Sequence, residues 1–115
     1  MKIERIAPGA RMSGAVVHGD TVYLSGHVSA DRSQGVRGQT AAVLARIEER
    51  LAACGSDKSK LLAVTIWLAD ISTFDEMNEV WDAWVDRANP PARATVQAKL
   101  ASPDYLVEIA AIAAK

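Results

Sequence analysis

The run Tyr105-Leu106-Val107-Glu108-Ile109-Ala110-Ala111-Ile112-Ala113-Ala114 constrains this chain more than any other segment. Side chains alternate between the two faces of a strand, so Val107, Ile109 and Ala111 line one face and Leu106, Ala110 and Ile112 the other. Both faces are apolar, and Glu108 sits among hydrocarbon whichever one it joins. Burying an unpaired carboxylate costs several kcal/mol, so Glu108 must be neutral, paired, or turned toward a cavity that holds water or ligand. Just upstream, Ala92, Ala94, Val96, Ala98 and Leu100 alternate with Arg93, Thr95, Gln97 and Lys99. That period-2 pattern predicts a half-buried strand whose polar face Arg93 opens. The simplest partner for Glu108 is therefore Arg93 on a neighbouring strand. A tight hairpin through Ala101-Ser102-Pro103-Asp104 argues against it, because its register sets Glu108 opposite Gln97. Arg93 then lies about 13 Å along the ladder, too far for direct pairing.

With 115 residues, half of them hydrophobic, the chain is expected to form one domain over 1–115 around a single core. A net charge of −1 offers no footprint for a polyanion, so nucleic acid is not an expected partner. Cys54 is the only cysteine, and neither it nor His18 nor His27 has a partner at metal-ligand spacing. No metal site and a reduced structural thiol are expected. The N-terminus lacks the apolar core of a signal peptide and no apolar stretch reaches about 18 residues, so the expected location is cytoplasmic and no membrane is expected as a partner.

Lys2–Ile6 and Met12–His18 read as strands, and Gly19-Asp20 as a turn into a third strand, Thr21–Ser25. The polar stretch Ser29–Gly38 reads as a loop. A helix follows from about Gly38 to Ala53, with Val43, Leu44, Ile47 and Leu51 on its buried face, Arg46, Glu49 and Arg50 exposed, and Gly55 as its stop. Lys60–Leu68 is strand-like. Ser72 or Thr73 is the expected N-cap of a second helix whose apolar face holds Phe74, Met77, Val80, Trp81 and Trp84, and Asn89-Pro90-Pro91 ends it. The order strands, helix, strand, helix, strand, strand predicts an α+β sandwich of one mixed sheet with two helices on one face. The other face is too apolar to stay wet, so it is expected to pack against copies of the same chain. The three tryptophans are expected in the core or at that contact rather than as a stacking platform.

Several of these segments carry a family resemblance. Pro91-Ala92-Arg93-Ala94-Thr95-Val96, Val107-Glu108-Ile109, Tyr23-Leu24-Ser25-Gly26-His27, and Phe74 followed by Met77-Asn78 resemble the RidA/YjgF reactive-intermediate deaminases. Gly55-Ser56-Asp57-Lys58-Ser59, Trp67-Leu68-Ala69-Asp70 and Trp81-Asp82-Ala83-Trp84-Val85 are similar to the YoaB-like branch of that family. The resemblance implies a chorismate-mutase-like fold assembled as a homotrimer, with pockets between subunits. It implies a cofactor-independent hydrolase that turns 2-imino or enamine acids into 2-oxo acids and ammonia. Glu108 with the Thr95 carbonyl would position and activate water, and Arg93 with Ser25 and Gly26 would bind the substrate carboxylate. Asn78, on the second helix, either reaches that pocket or caps a loop.

The chain departs from the pattern at three places. Met12 stands where a Tyr commonly contributes to the pocket, Thr95 where a Cys often follows the key Arg by two residues, and His27 where Gln is frequent. Two other readings stand beside the hydrolase. One is a non-catalytic trimeric module that binds 2-oxo acids or another protein; chorismate mutase activity, the other, is suggested by fold analogy alone.

Overall fold

Three strands open the chain, and the computed structural model describes all of residues 1–115. β1 (Ile3–Pro8), β2 (Ser13–His18) and β3 (Thr21–Leu24) pair antiparallel in succession. The link between β2 and β3 is the two-residue turn Gly19-Asp20, and Gly19 adopts φ +61°, a conformation that glycine tolerates and a bulky residue does not. The long helix α1 (Val36–Ala53) follows, starting two residues before the expected Gly38. Its N-cap, Gly35, has no side chain to offer, and the buried Gln39 ties down this end of the helix. Gln39 donates to the carbonyls of Gln34 and Asp104, both at 3.0 Å, and accepts from the Leu106 N–H at 3.0 Å, which moors the distant 101–106 loop to α1. At the other end Gly55, at φ +74°, lets the chain turn while the Ser56 N–H satisfies the Leu51 carbonyl. Cys54 is buried there, and burial pushes its thiol pKa up, away from the reactive thiolate.

A 3-10 turn at Lys58–Lys60 precedes β4 (Leu61–Leu68), and a second one at Ile71–Thr73 precedes α2 (Phe74–Trp84). Thr73, one of the two expected residues, takes the N-cap position of α2, but its side chain makes no capping bond. Asp70 accepts from the Ser72 N–H at 2.9 Å, and the Thr73 hydroxyl donates backwards to the Asp70 carbonyl at 2.6 Å. After the Pro-Pro stop come β5 (Ala92–Gln97) and β6 (Val107–Ala114). The β5 strand stops at Gln97, short of the Leu100 that its alternation suggested, and the Ala98 N–H makes the last bond to β4, at 3.0 Å to the Leu68 carbonyl.

All six strands form one mixed sheet in the order β1-β2-β3-β6-β4-β5. The β4–α2–β5 segment is a crossover unit, so β5 runs parallel to β4, while β6 inserts antiparallel between β3 and β4. The tight hairpin is therefore absent. Glu108 lies opposite Trp67 of β4 instead of Gln97, and β4 separates it from β5 altogether.

Both helices cover the same face, where Val22, Val64, Ile66 and Ile109 meet Val43, Leu44 and Ile47 of α1 and Met77 of α2. The opposite face has no cover. It carries Tyr23, Ala63, Thr65, Ala110 and Ile112 around a shallow hollow, with Val96 on β5. Tyr23 is 44%, Val96 45% and Ile112 37% exposed, a contiguous apolar surface of the kind that marks an interface. No helix is long and apolar enough to cross a membrane.

The alternation of β5 has the reverse sense to the one expected. Arg93 is in register with the buried Val64 and Thr95 with the buried Ile66, so the polar parity lies on the helix-covered side. The bare face receives Ala92, Ala94 and Val96. A guanidinium was accommodated beneath a helix because α2 supplies it with a polar partner and aromatic faces.

Candidate functional site

Two groups of expected site residues form, on opposite faces of the sheet. The first centres on Arg93. Its Nη1–H donates to Asn78 Oδ1 at 2.8 Å, and its guanidinium carbon lies over the rings of Trp81 (5.1 Å) and Phe74 (5.7 Å). Phe74, Asn78 and Trp81 follow one another by four and three residues, which puts them on one stripe of α2 facing the β5 edge. That spacing was legible, yet the pattern assigned Phe74 and Trp81 only to the core. Asn78 is turned to Arg93 rather than capping a loop. Burial lowers the pKa of Arg93 and the nearby Asp82 carboxylate opposes the shift, but a guanidinium stays protonated in proteins. One donor is spent on Asn78, so the rest of the fork remains for a carboxylate.

Thr95 lies two residues along on the same side. β5 is an edge strand, and the Ala98 N–H points to β4. Because amide directions alternate along a strand, the main-chain groups of Thr95 point the other way, out from the sheet edge. Its carbonyl is thus available at the rim, while its hydroxyl is buried without a hydrogen-bond partner.

The second group centres on Glu108, on the bare face beside Trp67 and Ala110. Its carboxylate lies against Gly26 so closely that a Cβ on Gly26 would overlap one carboxylate oxygen and sit 3.1 Å from the carboxyl carbon. A side chain at position 26 would push the Glu108 carboxylate out of this position. Glu108 makes no ion pair with Arg93: their β4 register partners, Trp67 and Val64, are three residues apart, and the two side chains leave opposite faces. The bridging explanation is overturned by topology. Glu108 is instead half-buried on the surface that no helix covers.

Ser25 belongs to this second group rather than to Arg93. Its hydroxyl donates to the Gly14 carbonyl at 3.1 Å, and its N–H donates to the same carbonyl at 3.0 Å. Offering that hydroxyl to a ligand would exchange one bond for another. His27, buried next door, is paired by its backbone to Ile109 in both directions, at 2.8 and 3.0 Å. Desolvation lowers the His27 pKa most; the hydrogen bond to Ser25 opposes this, and the guanidiniums of Arg46 and Arg50 add to the lowering. Arg50, expected on the exposed side of α1, is half-buried with its guanidinium against Gly14, where a Cβ would lie 2.9 Å from its carbon. Met12 is 59% exposed and closes no pocket within the chain.

Known proteins resemble this one along its whole length. The family model described as endoribonuclease L-PSP matches residues 2–115. The RutC family protein YoaB of Escherichia coli K12 is 45% identical over 117 residues, covering 99% of either chain. The crystal structure of a YjgF family member from Neisseria meningitidis superposes with a TM-score of 0.97 at 44% identity, covering 100% of this chain and 96% of that one. The human protein named 2-iminobutanoate/2-iminopropanoate deaminase is 34% identical over 115 residues, which is 93% of this chain and 83% of that one.

Proposed function

Since the chain belongs to the RidA/YjgF family, in its YoaB-like branch, with the chorismate-mutase-like fold, we propose that it hydrolyses 2-imino and enamine acids to 2-oxo acids and ammonia at a site completed by a second copy of itself. The observation that carries this reading is the separation of Arg93 from Glu108. Each is prepared for a ligand, yet they emerge on opposite faces of one sheet. About 10 Å of strand and two strand spacings of about 4.8 Å lie between their backbones, so a three-carbon acid cannot touch both within one chain. A neighbouring copy docked on the bare apolar face brings its own β5 edge, with Arg93 and the outward Thr95 carbonyl, to the Glu108 of the first. A closed ring of three copies buries every such face equivalently.

The chemistry then divides between the copies. Arg93 of one holds the substrate carboxylate bidentately, and the Gly26 N–H and Ser25 of the other complete the grip. Water held between Glu108 and the Thr95 carbonyl attacks the C=N carbon. Glu108 takes a proton from that water and returns one to nitrogen, so the carbinolamine collapses to a 2-oxo acid and ammonia. The balance is imine plus water giving ketone plus ammonia, with no redox change and no external reductant. Imines already hydrolyse in water, so positioning supplies a useful part of the acceleration. RNA cleavage, the activity named in the description of the family model, finds less support in a chain of net charge −1.

Subunit mixing tests the proposal. Arg93→Ala and Glu108→Gln proteins should each be inactive against imines released by an amino-acid oxidase. Dissociated and reassociated at equal ratio, they should recover about one quarter of wild-type activity, the share of interfaces that pair an intact Arg with an intact Glu in a random three-membered ring. No recovery, in assemblies shown by mass to be mixed, would place both residues in one chain's site and defeat the composite reading.

A further inference from the structure

The peptide between Ser25 and Gly26 is held from one end only. The Ser25 carbonyl accepts a 2.7 Å hydrogen bond from His27 Nδ1, which must be the protonated nitrogen because a carbonyl only accepts. The opposite end, the Gly26 N–H, meets no acceptor in the chain. Its neighbours are both fixed, the Ser25 N–H by Gly14 and the His27 N–H by Ile109. A peptide next to glycine rotates easily, since glycine tolerates either sign of φ. The imidazole is thus the one tether that decides which way this peptide faces.

The direction follows from covalent geometry. In a trans peptide the C=O and N–H point opposite ways, so drawing the carbonyl onto the His27 ring turns the Gly26 N–H away from it. His27 is bridged to Ile109 of the core, the residue is 5% exposed, and its charged neighbours are Arg46 and Arg50 of α1. All of these lie on the covered side. Glu108, packed on Gly26, lies on the other.

We propose that His27 is a positioning residue, which aims the Gly26 N–H toward the Glu108 side of the sheet and strengthens it as a donor by hydrogen-bonding the carbonyl of the same peptide. The ligand it would meet there is a carboxylate oxygen, and that last clause rests on the hydrolase reading given above. No other hydrogen bond in the chain is made by this peptide.

Asparagine places its Nδ2 donor where Nδ1 sits in histidine; leucine fills similar space with no donor. His27→Leu should therefore move the Gly26 amide resonance in the ligand-free protein, weaken 2-oxobutanoate binding about tenfold and raise KM for imino acids by a like factor, with kcat nearly kept. His27→Asn should return all three toward wild type. A buried residue that merely supports the fold would instead lower the thermal midpoint of both variants without this split. If His27→Leu does not fold, His27→Ala replaces it, because it too lacks a donor and adds no bulk. An unmoved Gly26 resonance, or a folded Asn variant as defective as Leu, overturns the proposal. Wild-type protein that never speeds imine loss, with the Gly26 and 2-oxobutanoate responses as expected, defeats the hydrolase reading and leaves the aiming role standing.

Discussion

The surroundings of Arg93 and of Glu108 are built by opposite strategies. Arg93 is finished within its own chain: an amide on α2 takes one donor, two aromatic faces flank it, and a helix shields it. Glu108 is left open on an uncovered apolar face, with a glycine cleared beneath it and no charged partner. A cation can be stored ready under a helix because a guanidinium keeps its charge there. The carboxylate that the proposed reaction asks to exchange protons with water stands where water or a second copy reaches it. Under the proposed reaction, the contrast teaches that one chain holds two half-sites rather than one site.

The largest effect that would break this contrast is on Arg93 itself. Arg93→Ala should abolish acceleration of imino-acid hydrolysis while the fold persists, and Arg93→Lys should rescue little, since an ammonium lacks the planar fork. Stopped-flow rates with a thermal melt on the same preparation would show whether activity and folding separate. Next comes Glu108→Gln, which keeps shape but removes the titrating group. Hydrolysis should fall about 10²–10⁴-fold with ligand binding and thermal midpoint held. A large fall in midpoint with normal activity per folded assembly would turn Glu108 into a structural residue.

The bare face gives a third, all-or-none test. Light scattering should show the wild type at about three times its 12.3 kDa mass, and Ile112→Glu should reduce it toward one. A wild-type monomer would leave the two half-sites unjoined. Asn78→Ala should cost less, raising KM several-fold, because Arg93 keeps its charge and aromatic neighbours and loses one charge-assisted bond worth about 1.5–3 kcal/mol at most. If Arg93 and Glu108 worked independently of their settings, this variant would behave as wild type.

The smallest effect is on pH. The folded-state pKa of His27 is depressed, so the folded protein binds fewer protons than the unfolded chain as pH drops below the ordinary histidine value of about 6.5. Its contribution is complete above that value and is lost as pH falls toward the folded pKa. Denaturant midpoints compared across that window should therefore decline with acid in wild type and decline less in His27→Asn.

Much of the fold was open to local reading. Val43, Leu44, Ile47 and Leu51 lie on the buried face of α1, the Gly19-Asp20 turn joins β2 to β3, and both helices share one face, because helix period, turn chemistry and strand alternation act over a few residues. The candidate residues were legible too: an Arg after Pro-Pro and a Glu in an apolar strand are anomalies that composition cannot hide. Which side they faced was not. Alternation along Ala92–Gln97 defines two parities but carries no sign, and only α2, folding back to offer Asn78 and Trp81, made the polar parity the covered one. Strand order lies equally beyond local pattern, since inserting β6 between β3 and β4 is settled by long-range burial of Val107, Ile109 and Ala111 against the core. So the sequence alone determined which residues are chemically unusual, whereas tertiary packing decided that Arg93 and Glu108 stand on opposite faces, because the face a strand presents depends on what arrives to cover it.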